Sequence, residues 1–166
     1  YVVDNNSTDD TIKKVREWQK SNPNFPLTLL SETKPGAPAA RNLPLALVET
    51  KWIQFLDADD ILLRNKIADQ IRCFSDSDVI CASAQRIDVQ GNKKLSKPNP
   101  NIPVGLVQGN LGITSSNLFA SNRIFEISGW DETIKSSQEY DLMFRLWQKG
   151  AKFETDTVPR ATIRAR

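Results

Sequence analysis

Short apolar stretches typical of β-strands alternate with amphipathic helical patterns along this chain of 166 residues. We predict strands in residues 1–4, 25–32, 51–56, 78–85, 115–121 and 152–158. Helical patterns lie between them in residues 7–20, 62–74 and 138–150, and residues 34–49 pass from a loop into a helix. Strands that alternate with helices build layered α/β domains, so we predict a three-layer α/β/α fold with a mostly parallel sheet.

Two segments interrupt this alternation. Pro44 lies within the helix predicted for residues 34–49, and a proline inside a helix removes a hydrogen bond and clashes with the preceding turn. Residues 88–111 are rich in Pro, Asn, Gly and Lys. We therefore predict a disturbed helix at Pro44 and an extended loop over residues 88–111.

The composition excludes several kinds of catalytic site. The chain has no histidine, which excludes Ser-His-Asp triads, His-Glu-x-x-His zinc sites and imidazole bases. Acid-base chemistry must therefore use carboxylates, Lys, Tyr or Cys. The 22 basic and 20 acidic residues form no long block of one charge, which argues against nucleic acid as a partner. Cys73 and Cys81 lack the spacing of a metal site, and we predict that both are reduced and buried.

The length and hydropathy of the chain indicate one domain without a membrane span. A chain of 166 residues is typical of a single domain with its own core. The sequence has no apolar stretch near the ~20 residues of a membrane span and no secretory leader pattern. We predict a cytoplasmic protein, with peripheral association at the inner face of the membrane as the alternative.

Acidic residues directly follow two of the predicted strands. The stretch VVDNNS places Asp4 at the end of the first strand, and QFLDADD places Asp57, Asp59 and Asp60 after the third. Ligands of open α/β sheets bind outside the carboxyl ends of the strands. An Asp-x-Asp turn can direct two hard oxygen ligands, here Asp57 and Asp59, at one Mg²⁺ or Mn²⁺ and its phosphates. The alternative is helix capping with solvated charge, above all for Asp60.

The helix predicted over residues 138–150 carries two acids in its first turn. Its apolar face is formed by Leu142, Met143, Leu146 and Trp147. Glu139 lies three residues before the first of them, on the same face, and is a candidate site residue. Stabilisation of the helix dipole is the alternative role for Glu139. Asp141 lies four residues before Arg145, which is the spacing of an intrahelical ion pair.

Four motifs together resemble the family 2 glycosyltransferases of the GT-A fold. They are VVDNNSTDDT, KPGAPAARN, FLDADD and GWDETIKSSQEYDLMFRLWQKG, in this order and at these intervals. The resemblance implies one GT-A-like domain over residues 1–166 that lacks its first strand and helix. It also implies transfer of a sugar from a nucleotide diphospho-sugar, with a UDP-sugar as the first choice, to a saccharide or other acceptor hydroxyl with inversion. The implied setting is polysaccharide or glycan biosynthesis.

The resemblance further implies roles for individual residues. Those implied to bind the nucleotide sugar are Asp4, Asn5, Ser7, Arg41 and Asp57. Asp59 is implied to ligate Mn²⁺ or Mg²⁺ directly, and Asp57 to contact the ribose or the metal shell. Glu139 corresponds to the general base of the inverting members, with Asp141 as the fallback.

The chain departs from the family pattern at two places. The family usually has Asp-Asp-Gly-Ser where this chain has Asn5 and Asn6 after the first acid, so both are equally interpretable as turn residues. The family often has Glu-Asp where this chain has Gln138 and Glu139, so the base would be a longer Glu. Trp130 is either an aromatic platform for the acceptor sugar or a core residue.

Alternatives remain for Arg41 and for the function as a whole. A surface ion pair is the other role for Arg41. Asp57 and Asp59 after an apolar strand also resemble the nucleophile and acid of haloacid-dehalogenase-type phosphatases, although those enzymes place this motif on their first strand. A non-catalytic nucleotide-sugar-binding domain is the remaining possibility. We expect acceptor chemistry around residues 88–111.

Overall fold

The computed structural model describes residues 1–164, which form two compact units. The first unit comprises Tyr1–Glu49 and Gly129–Gln138, and the second comprises Thr50–Ser128 and the chain from Glu139 onwards. Strands and helices occur in both units, which confirms the predicted α/β class.

The strands are short apart from two. In chain order they are β1 (Val2–Asp4), β2 (Leu29–Ser31), β3 (Trp52–Ile53), β4 (Ile61–Leu62), β5 (Val79–Ile87), β6 (Lys93–Ser96), β7 (Leu118–Ala120) and β8 (Phe153–Arg164). The helices are α1 (Thr11–Ser21), α2 (Ala37–Asn42), α3 (Lys66–Cys73), α4 (Ile102–Gln108), α5 (Ser121–Glu126) and α6 (Gln138–Gln148).

The first unit is built on a parallel pair of strands. β1 and β2 pair in register, with Val3 opposite Leu30 and Asp4 opposite Ser31. Consecutive β-branched residues at the start of β1 suit a half-buried strand, and α1 connects the two strands as a crossover helix. Asp4 therefore ends a strand, as the sequence predicts.

Pro44 ends the regular helix in the first unit. α2 stops at Asn42, and the chain continues as a 3-10 helix over Leu43–Leu47 with Pro44 in its first turn. Proline has no N–H to donate to the preceding turn, and its ring clashes with the carbonyl four residues earlier. The prediction of a disturbed helix is confirmed.

The second unit contains a mixed sheet with the order β3-β7-β5-β8-β4, and β6 also pairs with β5. β5 and β8 are parallel, whereas β5 is antiparallel to both β6 and β7. The first six residues of β5, 79–84, are buried, so this strand lies at the centre of the core. Its register with β8 shifts opposite Pro159, because a proline cannot donate to the ladder.

The helix predicted over residues 62–74 begins later than its pattern indicates. Ile61 and Leu62 form β4, which pairs with Thr162 and Ala161 of β8, and α3 begins only at Lys66. The strand pairing is a contact between residues about a hundred positions apart, which local spacing cannot reveal. The predicted start of this helix, at residue 62, is therefore wrong.

The extended loop predicted over residues 88–111 is also wrong. β6 pairs with β5 as a hairpin, whose turn is held by the Asp88 carboxylate accepting from the N–H groups of Gln90 and Asn92. α4 follows with Asn101 as its N-cap and ends at Gly109 in the left-handed conformation. Asn at an N-cap and Gly after the last turn are helix signals that the polar composition obscured.

The two cysteines differ in environment. Cys81 is buried on β5, and burial raises the pKa of its thiol. Cys73 ends α3 and is exposed, so the prediction that both thiols are buried is wrong for Cys73. No helix within residues 1–164 combines the length and the apolar composition that crossing a membrane requires.

Candidate functional site

Asp4 is a buried carboxylate at the carboxyl end of β1. Its side chain is 7% exposed and accepts a hydrogen bond from the backbone N–H of Ser7 at 3.3 Å. A buried acid at a strand end is the position where an α/β sheet presents groups to a ligand. Asp4 and Ser7, both predicted as nucleotide contacts, thus belong to one turn.

Asn5 holds a loop of the first unit together. Its Nδ2 donates to the carbonyl oxygens of Glu32 and Lys34, both at 2.8 Å, and its Oδ1 accepts from the N–H of Gly36 at 2.8 Å. All three partners are backbone groups of the loop between β2 and α2. Asn6 has a left-handed φ of 61°, as the turn interpretation expects. The side chain of Asn5 is therefore used to order the KPG loop.

Arg41 lies over the face of a buried tryptophan. The guanidinium carbon of Arg41 is 4.4 Å from the ring centroid of Trp130, which is 3% exposed. This distance is typical of a cation–π contact, which holds the guanidinium group against the ring. The burial of Trp130 matches its interpretation as a core residue.

Asn42 is a site neighbour that sequence reasoning missed. Its Nδ2 donates to the carbonyl oxygen of Trp130 at 2.8 Å and to Glu132 at 2.9 Å, and its Oδ1 accepts from the N–H of Trp130. A Cβ at Gly129 would lie 2.5 Å from this Oδ1, and Gly129 has a φ of +73°. Asn42 directly follows Arg41 in the KPGAPAARN motif, and its place in that motif is the sequence signal that could have indicated it.

The acids of FLDADD form a turn between β3 and β4 in the second unit. The N–H of Asp60 donates to the carbonyl oxygen of Asp57 at 3.0 Å, and the N–H of Asp57 donates to Ser115 Oγ at 3.1 Å. Asp57, Asp59 and Asp60 are each half-buried. Helix capping is the wrong explanation for them, because the helix that follows starts at Lys66 with Asn65 at its N-cap.

The charge of Glu139 acts on this acidic turn within the second unit. Burial, the largest cause, raises the pKa of the Asp60 carboxyl, while its hydrogen bond with Ser115 acts in the opposite direction. The negative charges of Asp57, Asp59 and Glu139 raise that pKa further. Glu139 and the acidic turn therefore act on the same carboxyl, that of Asp60.

The acidic turn suits a cation that is shared with a ligand. Within residues 1–164, no group of three or more Asp, Glu, Cys or His side chains has the arrangement to hold a metal by itself. Mg²⁺ is usually bound by one or two carboxylates together with substrate phosphates, and not by an all-protein cage. Asp57 and Asp59 supply hard oxygen donors of this kind on one turn, so their chemistry fits Mg²⁺ or Mn²⁺.

Glu139 lies in the first turn of α6 and contacts a buried threonine. One oxygen of its carboxylate, Oε1, accepts from both the backbone N–H and the hydroxyl of Thr114. Leu142, Met143 and Leu146 of the same helix are buried, as predicted. Trp147 was predicted on this face but is 42% exposed, with its ring 6.1 Å from that of Phe144.

Asp141 forms the ion pair that its spacing predicts. Its Oδ2 accepts from Arg145 Nε at 2.8 Å and lies 2.7 Å from Arg145 Nη2. Arg145 also donates to the backbone oxygen of Ile127 at 2.9 Å. Arg145 therefore connects α6 with the end of α5 and also engages the carboxylate of Asp141.

α3 begins with a buried lysine that was not singled out from the sequence. Lys66 is 2% exposed, and its Nζ donates to Gln54 Oε1, to Gln70 Oε1 at 2.7 Å and to the carbonyl oxygen of Asn117 at 3.2 Å. Burial lowers the pKa of Lys66 to about 7, with the charge of Arg160 as the second cause. Lysines are mostly exposed, so no sequence signal indicates this position.

Comparisons with known proteins identify what the chain is similar to. A family model described as Glycosyl transferase family 2 matches residues 1–144. Succinoglycan biosynthesis protein ExoU of Rhizobium meliloti is 24% identical over an alignment of 170 positions, gaps included. The alignment covers 92% of this chain and 49% of ExoU. The chain spans about half, or less, of the length of the curated relatives that it matches.

Solved structures match nearly the whole chain. The crystal structure of S. aureus TarS 1–349 in complex with UDP-GlcNAc has a TM-score of 0.76 at 16% identity, covering 99% of this chain and 49% of that chain. The mannosyltransferase PcManGT from Pyrobaculum calidifontis, in complex with GDP-Man and Mn²⁺, has a TM-score of 0.71 at 19% identity, with coverages of 99% and 46%. These proteins have the GT-A fold, so the predicted fold is confirmed.

Proposed function

Because the chain belongs to glycosyl transferase family 2, we propose that it transfers a sugar from a nucleotide diphospho-sugar to an acceptor hydroxyl, with inversion at the anomeric carbon. The observation that carries this proposal is that neighbouring residues contact acids of both segments: Ser115 Oγ accepts from the N–H of Asp57, and Thr114 donates to the carboxylate of Glu139. These acids come from segments about eighty residues apart, and the charges of Asp57, Asp59 and Glu139 all raise the pKa of the Asp60 carboxyl.

We assign nucleotide binding to the first unit. The buried carboxylate of Asp4 can accept hydrogen bonds from a base or ribose, and the planar guanidinium of Arg41 suits a diphosphate oxygen. Asn5 acts indirectly in this proposal, because its amide is hydrogen-bonded to the loop backbone of residues 32–36. A uridine nucleotide is the first choice, and the UDP-GlcNAc bound by TarS supports it, while the GDP-Man of PcManGT marks the alternative.

We assign the leaving diphosphate to the acidic turn. Asp59 would ligate Mn²⁺ or Mg²⁺ directly, and Asp57 would contact the ribose or the metal shell. The Mn²⁺ in the structure of PcManGT supports a divalent cation of this kind. A divalent cation bound there neutralises the negative charge that develops on the diphosphate. The half-buried setting of the two carboxylates strengthens these electrostatic contacts relative to water.

We assign the general base to Glu139. Oε1 of its carboxylate is held by Thr114, so the other oxygen, Oε2, is the proposed acceptor of the proton from the acceptor hydroxyl. Asp141 remains the fallback, although its carboxylate is engaged by Arg145. Proton transfer to Glu139 accompanies attack of the acceptor oxygen on the anomeric carbon, and the bond to the diphosphate breaks on the opposite side.

A polysaccharide or other glycan is the proposed product. The name of the relative ExoU, a succinoglycan biosynthesis protein, supports this setting. The family match argues against the haloacid-dehalogenase alternative. Two predictions about location remain: the cytoplasm, and association with the inner face of the membrane. The acceptor site around residues 88–111 and the single domain over residues 1–166 also remain predictions.

A thermal-shift screen of UDP, GDP and ADP with and without Mn²⁺ tests the proposal. A ligand that binds only the folded chain raises its melting temperature, and the rise grows with ligand concentration. We expect a rise with UDP that requires Mn²⁺. Turnover is then measured as release of nucleoside diphosphate from UDP-glucose, UDP-N-acetylglucosamine and GDP-mannose. Nucleotide binding without turnover by the full-length protein would favour the non-catalytic alternative, and no response to any nucleotide would refute the proposal.

A further inference from the structure

Two neighbouring residues of the second unit, Thr114 and Ser115, contact carboxylates from two distant segments. Thr114 is 2% exposed and donates to Glu139 of α6 through both its N–H and its hydroxyl. Ser115 has no exposed surface, and its hydroxyl hydrogen-bonds with Asp60 and accepts from the N–H of Asp57 at 3.1 Å. The dipeptide that precedes β7 therefore touches both the base side and the metal side of the proposed centre.

We propose that Thr114 is a positioning residue for the proton acceptor Glu139, an inference that rests on the proposed function. Glu139 is exposed, and an exposed glutamate side chain loses rotamer freedom when contacts fix it. Two donors on one oxygen provide the interactions that offset this cost. With Oε1 held, the direction of Oε2 is set by the planar geometry of the carboxylate.

Thr114 is itself held in place from the other side. Ser115 Oγ is fixed by the N–H of Asp57, and the carbonyl oxygen of Ser115 accepts from Gln54 Nε2 at 3.2 Å. Ser116 continues the same anchoring, because its hydroxyl donates to the carbonyl oxygen of Ala82 on the central strand at 2.8 Å. Through Thr114, the position of Glu139 depends on the acidic turn and the core as well as on its own helix.

The geometry of a general base affects the rate more than it affects donor binding. A displacement of about 1 Å in a catalytic group can lower the rate by ~10²-fold, because the proton and its acceptor no longer meet in the transition state. Donor affinity depends on nucleotide and metal contacts that Thr114 does not make in this proposal. Loss of the Thr114 hydroxyl should therefore separate turnover from binding.

The test compares Thr114→Val with Thr114→Ser in the full-length protein. Thr114→Val keeps the shape and the N–H but removes the hydroxyl, and we expect turnover to fall by roughly 10- to 10²-fold with donor affinity within a few-fold. Thr114→Ser keeps the hydroxyl and should restore most of the rate. Thr50→Val is the matched control, because Thr50 is exposed and its hydroxyl donates to the carbonyl oxygen of Trp52 at 2.9 Å. Thr114→Ala replaces Thr114→Val if the latter does not fold.

A double variant distinguishes failure of this inference from failure of the proposed base. If Thr114 acts through Glu139, then Thr114→Val combined with Glu139→Gln is no slower than Glu139→Gln alone. If the losses of turnover caused by the two substitutions add up in the double variant, the inference is overturned. It is also overturned if Thr114→Val turns over normally while Glu139→Gln is slow. Normal turnover of Glu139→Gln overturns the base and this inference together. A crystal structure of Thr114→Val with Glu139 unmoved overturns the inference independently of any activity.

Discussion

The carboxylate of Asp141 accepts a hydrogen bond from Arg145 Nε at 2.8 Å, one turn along the same helix. Two residues earlier, Glu139 instead contacts Thr114, which lies outside the helix. Side chains two positions apart on a helix point in different directions, so these neighbouring acids have different partners. The Asp141 carboxylate is engaged by the guanidinium of its own helix, which is why the proposed chemistry uses Glu139.

The first prediction compares the two acids of α6 as bases. Glu139→Gln keeps the size of the side chain but removes the proton acceptor, so turnover should fall by roughly 10²- to 10⁴-fold while donor affinity stays within a few-fold. Asp141→Asn should lower stability through the lost ion pair and leave most of the turnover. Transfer rate, donor affinity and melting temperature are measured for both. The reverse pattern would assign the base to Asp141.

The second prediction concerns the acidic turn. Asp59→Asn should weaken Mn²⁺-dependent nucleotide binding far more than Asp60→Asn, because only Asp59 is proposed to ligate the cation. Asp60 is the matched control, since it lies in the same turn and its carboxylate is hydrogen-bonded with Ser115. Titration calorimetry with UDP in the presence and absence of Mn²⁺ measures the effect. Equal losses in the two variants would contradict the assignment.

The third prediction concerns Arg41. Arg41→Lys replaces a planar fork stacked on Trp130 by a point charge, so nucleotide diphosphate affinity should fall by about tenfold, or ~1.4 kcal/mol. Arg72→Lys on α3 is the control, because Arg72 is exposed and pairs with Asp69 at 2.9 Å. Dissociation constants for UDP measured by calorimetry decide the question. An unchanged affinity in Arg41→Lys would limit Arg41 to packing against Trp130.

The fourth prediction tests the loop held by Asn5. Asn5→Asp replaces the Nδ2 donor with an oxygen that faces two carbonyl oxygens, so we expect a loss of about 1–3 kcal/mol in the free energy of unfolding. Asn24→Asp is the control, because Asn24 is exposed between α1 and β2. Urea denaturation measures both variants. Equal stabilities of Asn5→Asp and Asn24→Asp would show that the loop does not depend on this amide.

The fifth prediction is a pH dependence caused by Lys66. Its pKa is lowered from 10.5 to about 7 in the folded chain, so between these values the unfolded chain binds a proton that the folded chain does not. The Lys66 contribution therefore makes folding less favourable at pH 7, and stability is recovered as the pH rises toward 10.5. Lys66→Met lacks this titration, and its stability relative to the wild type should decrease between pH 7 and pH 9.5 by a few kcal/mol.

Urea denaturation at the two pH values tests the Lys66 prediction. Lys149→Met is the control, because Lys149 is exposed at the end of α6. Its stability relative to the wild type should be the same at both pH values. A Lys66→Met variant that behaves like Lys149→Met would show that the buried ammonium stays charged, held by its three oxygen acceptors.

The alternation of strands and helices was readable from the sequence because its signals are local. Apolar spacing and helix-breaking residues act within a few positions, so β1, the presence of α1 and the break at Pro44 were predicted correctly. The start of α1, predicted at residue 7, lies at Thr11. β4 was missed because its two residues form a strand only by pairing with β8. β6 was missed for the same reason, since it exists as the partner of β5.

The sequence by itself determined the α/β class, the family, the acid at the end of β1 and the acidic stretch that follows β3. Only the tertiary structure decided what those acids contact. Thr114 lies 25 positions before Glu139, and Ser115 lies 58 positions after Asp57, and these contacts have no local signature. Burial is likewise a property of the folded core, and it alone distinguishes Lys66 from the exposed lysines of the chain. Local spacing encodes secondary structure, whereas the partners of a polar side chain depend on which distant segments the core brings together.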